Sequence, residues 1–423
     1  MVRGSQKQKG GVSIDRTSAA TVASAGDPAS NRLCFMHAAA QPPTIVSPSE
    51  AQPSDEDVGL PAWIYHDPEF FEIEKRRIFR RSWQIVCHVN DIPKRGDYHC
   101  LDLLGESIVA VRGADGAVRS FHNVCRHRAS RLLDGPKGHC MDRIVCPYHA
   151  WTYALDGRLI GVPHRVTFRD LDLAKLALVA LEQEIFMGFI FVRLEAGLPS
   201  VQEMAAPYID ELALYRMEEL VPQGRVTLRP RRVNWKNIGD NYSDGMHISV
   251  AHPGLTRLFG RSYGIEAREW IDKMWGTLRE TAAGSWSERS YRKLLPPVAH
   301  LPPERQRLWT YFKLWPNVAF DVYPDQIDFM QFLPVSPTET LIREIAYVHP
   351  DARREMRAAR YLNWRINRQV NLEDTALIER VQAGMTSSSY SVGPLSTSEV
   401  CLRSFARRMR SLIPESRNPC KGS

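Results

Sequence analysis

No stretch of this sequence stays apolar long enough to cross a bilayer. The run from Ile185 to Val192, broken by Gly188, falls far short of the ~20 residues a spanning helix needs. Charge of one sign is not gathered into blocks either. The formal net charge of +7 is dispersed among interspersed Arg and acidic residues, which argues against nucleic acid as a partner, since such surfaces cluster their basic residues. Neither G-x-G-x-x-G nor a P-loop occurs, so no nicotinamide or flavin is expected to bind here. Cysteine is too thinly spread for a disulfide framework: eight residues, Cys34, Cys87, Cys100, Cys125, Cys140, Cys146, Cys401 and Cys420, in 423. The start shows no secretory apolar core, so a cytoplasmic, reduced setting is expected, with no membrane partner and with thiols free to bind metal.

What is present is ordinary globular composition, 43% hydrophobic and 24% charged, in a chain long enough for more than one core. Residues 1–58 are rich in Ser, Ala, Gly, Pro and Gln and lack periodic apolar content. They are expected to form a disordered tail, or to belong to an over-long reading frame whose true start is Met36. Asp67 and Pro68 then signal a short helix whose buried face is Phe71, Ile78 and Phe79. A strand-rich block follows over residues 59–198, with short β-type runs at Trp83–Val89, Asp97–Leu103, Ser107–Arg112 and Val118–Asn123 and a hairpin turn at Asp156-Gly157. From residue 199 to 415 the texture changes. Helices are expected at Val201–Met217, Trp235–Ser249 and Arg353–Met385, and strands at Arg225–Val233, Arg307–Leu314, Val318–Tyr323, Ile327–Pro334 and Glu339–Val348. The fold class is therefore α+β, an N-terminal antiparallel β domain followed by helices packed on an antiparallel sheet.

The β block carries Cys125-Arg126-His127 and Cys146-Pro147-Tyr148-His149. A [2Fe–2S] centre of the Rieske kind gives two Cys to one iron and two His to the other. Two loops that each supply one thiolate and one imidazole meet that demand. A structural zinc site is the competing reading, but zinc knuckles usually pair Cys with Cys and His with His. Cys140 lies between the loops at no ligand position and reads as a buried thiol.

The second signal is the segment from Asn234 to Gly254. On a continuous helix Asp240, Asp244 and His247 form one stripe, at i, i+4 and i+7. His252 lies about 140° round from His247, so the helix must end or bulge before both imidazoles can meet one ion, and Pro253-Gly254 supply a stop. Two His and one carboxylate on one face of a metal make the facial triad of non-haem Fe(II) oxygenases. Asp374 is the candidate carboxylate, beside a helical stripe of Leu372, Ala376 and Leu377 expected to face a core. It is either a solvated edge residue or a buried acid that needs a cation.

Taken in order, the two Cys/His pairs, Asn234-Trp235-Lys236, Asp240-Asn241-Tyr242, His247, His252 and the helical segment from Glu373 to Gly384 resemble the α (catalytic) subunits of Rieske non-haem iron oxygenases, from Trp63 to Met409. The resemblance implies a Rieske domain joined to a catalytic domain. It implies a cluster on Cys125, His127, Cys146 and His149 and a mononuclear Fe(II) on His247, His252 and Asp374. It also implies a homotrimer, with or without a β subunit, in which Asp244 bridges one subunit's cluster to its neighbour's iron. Electrons would come from NAD(P)H through a separate reductase, with or without a ferredoxin, to activate O₂ against a small-molecule substrate. An aromatic compound is the first expectation for that substrate. The alternative is a quaternary-ammonium or methoxy compound, since the segment is similar to the carnitine, choline and betaine branch, although that branch often has Glu where this chain has Asp244. Trp270, Trp275, Trp286, Trp309, Trp315 and Trp364 are candidates for a substrate cage or for core packing.

Overall fold

Asp67 caps the first helix as its sequence requires. Its Oδ1 accepts from Phe70 N at 2.8 Å, Pro68 takes the first turn, and α1 (Pro68–Arg77) buries Phe70 and Phe71. This computed structural model describes residues 57–260, 263–281 and 283–421. Cys34, Met36 and the expected tail lie outside the described residues except for Asp57 and Val58. Val58 already bridges Pro394, and Asp57 pairs with Arg403.

The N-terminal half is built from short antiparallel strands. They are β1 (Gln84–His88), β2 (Asp97–Leu103), β3 (Glu106–Arg112), β4 (Val118–His122), β5 (Lys137–His139), β6 (Arg143–Val145), β7 (Thr152–Ala154), β8 (Leu159–Gly161), β9 (Glu182–Phe186) and β10 (Phe189–Arg193). They form sheets ordered β4-β3-β2-β5, β6-β7-β8 and β1-β10-β9. The expected helix at Val201–Met217 is broken. A capping box on Ser200 starts α2 (Val201–Ala205), Pro207 forces a 3₁₀ turn, and α3 (Ile209–Ala213) follows.

The C-terminal half centres on β11 (Val221–Arg231), β12 (Tyr263–Ala267), β13 (Ile271–Thr277), β14 (Leu308–Leu314), β15 (Val318–Val322), β16 (Ile327–Ser336) and β17 (Glu339–Val348). These pair as one antiparallel sheet in the order β11-β17-β16-β15-β14-β13-β12. The helices are α4 (Trp235–Ser243), α5 (Ile248–Ala251), α6 (Pro253–Phe259), α7 (Trp286–Leu294), α8 (Arg354–Gly384) and α9 (Val400–Leu412). β12, β13, α7 and α9 were not expected from the sequence. One hydrophobic cluster joins the two halves: Ile85, Phe189 and Phe191 of the β1-β10-β9 sheet share it with Phe312, Phe329 and Tyr347 of the larger sheet.

Cross-strand register places the side chains that matter. Tyr311 on β14 stands opposite Asp321 on β15, and Asp321 opposite Asp328 on β16. That row lies on one sheet face, and α4 runs across it, with Tyr242 Oη donating to Asp321 Oδ1 at 2.5 Å. α4 is anchored underneath by a fully buried ion pair, Lys236 Nζ to Glu74 Oε1 at 2.6 Å, and Trp235 Nε1 donates to the other Glu74 oxygen. Such a pair fixes position more than it adds stability, because desolvation offsets its attraction.

Candidate metal centres

The two Cys/His loops are near-copies in backbone geometry. In the first, Ala129 N donates to the Cys125 carbonyl at 3.1 Å and Cys125 N to the Ser130 carbonyl at 2.8 Å. In the second, Ala150 N donates to the Cys146 carbonyl at 3.0 Å and Cys146 N to the Trp151 carbonyl at 2.8 Å. Each loop turns on an alanine in the left-handed region, Ala129 at φ 52° and Ala150 at φ 54°. Each therefore doubles back so tightly that its Cys and His project to the same side. The thiols are buried, and the two imidazoles stand 4.7 Å apart between ring centres, His127 stacked on Trp151.

The donor chemistry fits a cluster. His127 Nδ1 is buried with no protein partner, an orphan that a metal bond would satisfy. Burial pushes the Cys146 thiol up, but the backbone amides of His149 and Tyr148 and the nearby Cys125 outweigh it and hold the thiol below its ordinary range. Tyr153 Oη accepts from Arg126 N at 2.9 Å and lies 3.4 Å from Cys125 Sγ, within hydrogen-bond reach of the sulfur. The sequence held no sign of this contact. Cys140 Sγ instead donates to the Gly96 carbonyl at 3.3 Å.

The second set meets through a broken helix. The expected helix over Trp235–Ser249 stops at Ser243, so Asp240, Asp244 and His247 do not share a helical stripe. The break is local. Asp244 has left the helix at ψ 124°, and its carboxylate accepts from Met246 N at 2.7 Å and from His247 N at 3.3 Å. At Gly245 a Cβ would stand 2.2 Å from Ile265 Cδ1, so a larger residue there would displace the Ile265 side chain. Pro253, expected as a stop, in fact opens α6, and His252 sits in the joint between α5 and α6.

This path brings His247 Nε2 and His252 Nε2 to 3.1 Å. Asp374 Oδ1 arrives from α8 at 2.9 Å from His252 Nε2 and 3.6 Å from His247 Nε2. Among the described residues, His247, His252 and Asp374 are the one group of three such side chains whose ligand atoms lie within 4.8 Å of one another. The expected inner stripe of α8 was misplaced. Leu372 is 60% exposed, and the inward face is Val370, Asp374 and Ile378, a helical turn apart, so Asp374 lies on that face and not beside it. Asp240, in contrast, points away to Tyr65 Oη at 2.7 Å.

Each histidine is held at its other nitrogen. Asp244 Oδ2 lies 3.1 Å from His247 Nδ1, and Glu373 Oε2 lies 2.8 Å from His252 Nδ1. Glu373 was missed in the sequence because its role depends on which α8 face turns inward. Burial pulls the His247 imidazole down, but Asp244 and Asp374 outweigh it and carry it up to about 9. His252 is likewise raised against burial by Asp374 and Glu373, and the two imidazoles hold Asp374 below the ordinary carboxylate range despite its burial. The geometry and the charge favour a cation at this point.

A cavity of about 110 Å³ adjoins the triad, and its wall includes Tyr242, Tyr263, Tyr311 and Asp321. Burial drives the Asp321 carboxyl up to about 6 against the Tyr242 hydrogen bond. None of the six tryptophans lines this cavity. Trp309 and Trp315 are core, while Trp286 and Trp364 are 59% and 50% exposed. Tyr242 and Tyr311 were legible only as helix and strand residues, and Tyr263 lies on the unexpected β12, since their meeting requires the sheet register.

Comparisons with known proteins match both halves of the chain to known families. Residues 82–177 match the Rieske [2Fe-2S] domain, and residues 215–415 match the ring hydroxylating alpha subunit (catalytic domain). The chain is 31% identical over 340 residues to the carnitine monooxygenase oxygenase subunit of Escherichia coli (strain K12), covering 78% of this chain and 85% of that one. It is 29% identical over 385 residues to the glycine betaine monooxygenase oxygenase subunit of Chromohalobacter salexigens, covering 80% and 82%. A solved structure of a quaternary ammonium Rieske monooxygenase superposes with a TM-score of 0.72 at 25% identity, over 86% of this chain and 97% of that one. Naphthalene 1,2-dioxygenase shares the fold, with a TM-score of 0.69 at 20% identity over 86% and 94%. No helix among the described residues is long and apolar enough to cross a membrane. With a Rieske [2Fe–2S] cluster and non-haem iron as cofactors and a separate reductase as electron source, this chain belongs to the α-subunit family of Rieske non-haem iron oxygenases.

Proposed function

We propose that this chain is the oxygenase subunit of a monooxygenase that oxidises a quaternary ammonium compound. The observation that carries the reading is the wall of Tyr242, Tyr263, Tyr311 and Asp321 beside the His247, His252 and Asp374 triad. Aromatic faces attract a quaternary ammonium through their quadrupoles, and a buried carboxylate below them supplies the counter-charge. The Tyr242 and Tyr323 hydroxyls hydrogen-bond Asp321, and a cationic head would add a counter-charge beside it that a neutral arene does not bring. The chain's similarity to monooxygenases of carnitine and glycine betaine supports the same choice over the aromatic substrate first expected.

In this reading Cys125, His127, Cys146 and His149 hold the cluster, and His247, His252 and Asp374 hold the iron. Bound there, the two groups supply one-electron transfer and activation of O₂. The chain's own residues do the rest. Asp244 and Glu373 fix the imidazole orientations, the tyrosines and Asp321 seat the cationic head, and Ile238, Ile342 and Ile378 give the cavity its aliphatic wall. Asp244 is also the contact through which a neighbouring subunit's cluster histidine reaches His247, in a homotrimer. The domain division is Rieske over residues 59–198 and catalytic over 199–415, in a cytoplasmic enzyme. Hydroxylation at a carbon next to nitrogen breaks the C–N bond. R–CH₂–N⁺(CH₃)₃, O₂, two electrons and two protons give R–CHO, trimethylammonium and water.

The test is oxygen uptake by the reconstituted holoenzyme with reductase. Carnitine or glycine betaine should drive uptake matched one-to-one by release of an aldehyde and an amine. Turnover of naphthalene without turnover of either amine would defeat the reading.

A further inference from the structure

The cavity beside the triad is polar at more than one place. Its acids are Asp321, Asp244 and Asp374, and Arg231 is the one Arg or Lys among its lining residues. Arg231 ends β11, two residues after Arg229, so the two guanidiniums leave the strand on the same face. Their situations differ. Arg229 is ion-paired with Glu344, and its Nη2 also donates to Asn371 Oδ1 at 3.3 Å. Arg231 makes a single hydrogen bond, from Nη1 to the carbonyl of Pro230 at 3.1 Å. Its Nε is buried with no acceptor, as is that of Arg229, but unlike Arg229 it has no carboxylate in ion-pair range. Two acids attract it from beyond ion-pair range, Glu344, which is paired with Arg229, and Glu379.

A buried guanidinium N–H without an acceptor costs free energy in the empty cavity, and that cost is recovered when a ligand supplies the acceptor. The free side of the group is the Nε–Nη2 edge, since Nη1 is turned to the backbone. That edge presents two parallel N–H donors at the spacing of a carboxylate's two oxygens. We propose that Arg231 is the anion anchor of the substrate site, binding the carboxylate of a substrate whose quaternary ammonium lies against Tyr242, Tyr311 and Asp321. It is a specificity-determining residue, and it selects betaine-type zwitterions over quaternary ammonium alcohols. The inference rests on the quaternary-ammonium reading for the head group, but the anion site itself stands on the orphaned guanidinium.

Glycine betaine and choline make a matched pair, alike in the trimethylammonium and differing in carboxylate against alcohol. With the holoenzyme, kcat/KM should favour glycine betaine over choline about tenfold or more, and in R231Q and R231M that ratio should collapse toward one through KM. Iron and sulfide contents equal to wild type establish that each variant is folded and loaded. Calorimetric titration of the holoenzyme with butyrate, a carboxylate without a cation, should show binding that weakens about tenfold or more in R231Q. In the wild type, butyrate should compete with glycine betaine. An unchanged betaine-to-choline ratio in both variants, or butyrate binding that is absent in wild type or equal in R231Q, overturns the proposal. If neither amine is turned over while butyrate binding still depends on Arg231, the anion anchor holds and only the head-group reading falls. If the variants lose iron, failure of butyrate to compete in wild type overturns it.

Discussion

Cys125–Ala129 and Cys146–Ala150 are two short loops that bend the same way, each presenting a thiolate and an imidazole from a few consecutive residues. His247, His252 and Asp374 are assembled otherwise. Two come from either side of the small helix α5, and the third comes from α8, far along the chain. The first centre is built by local backbone geometry and the second by tertiary packing. Local loops tolerate change elsewhere in the chain, whereas a site shared between a helix break and a distant helix depends on everything that holds those helices together. The supporting residues follow the same division. Tyr153 and the loop amides serve the cluster thiols from the two loops and the strand that follows the second, while Asp244 and Glu373 serve the histidines from two distant elements.

Removing one ligand from each region gives the largest effect and the most direct break of the comparison. The loaded wild type should hold about three irons and two sulfides per chain. Asp374→Ala should fall to about two irons, keep the Rieske EPR signal and lose all turnover. Cys146→Ser should lose the cluster and its colour while the mononuclear site still takes up Fe(II). If Asp374→Ala keeps its full iron content, Asp374 is not a ligand.

Asp244→Asn comes next, because it should separate metal binding from electron supply. Both metals should remain, and coupled turnover should drop ~100-fold. Asp244→Glu, which keeps the charge, should recover part of it. Full activity in the Asn variant would remove the bridging role. Glu373→Gln should act on the second centre alone, weakening iron binding ~10-fold in competition with a chelator while leaving the cluster's EPR signal unchanged.

The smallest expected effect is the pH dependence of the metal-free site. His247 titrates at about 9, above its ordinary value, because Asp244 and Asp374 outweigh burial. A raised folded value means that this group stabilises the metal-free protein fully below its ordinary pKa, and that the contribution disappears as pH rises through about 9. Iron requires the neutral imidazole, so uptake must expel that proton. Between pH 7 and 9 iron affinity should therefore rise with proton release, while metal-free thermal stability falls. Both trends should flatten in Asp244→Asn.

Much of this was legible in the residues. The Cys/His pairs with unlike partners indicated a two-iron cluster, and Pro253-Gly254 after His252 required that the helix could not run on unchanged. Where the helix broke was not legible. The sequence suggested a stop at Pro253, but the break occurs at Asp244, whose carboxylate accepts from Met246 N and His247 N and turns the chain ahead of α5. The inner face of α8 was misjudged for a related reason. Leu372 and Ala376 look like core residues, but α8 turns Asp374 inward, where two imidazoles satisfy its charge.

The sequence by itself determined the class of chemistry, because ligand type and close spacing are local properties that survive without a fold: Cys and His in two tight loops, and His247 and His252 around a breakable helix. It also determined the strand-rich first half and the sheet-and-helix second half through their hydrophobic periodicities. Tertiary structure alone decided what surrounds the second centre. Tyr311 meets Asp321 only through strand register, Tyr242 reaches them only because α4 crosses that sheet face, and of the two neighbouring guanidiniums it is Arg229, not Arg231, that pairs with Glu344. Register and pairing are long-range outcomes of packing, and no spacing along the chain encodes them.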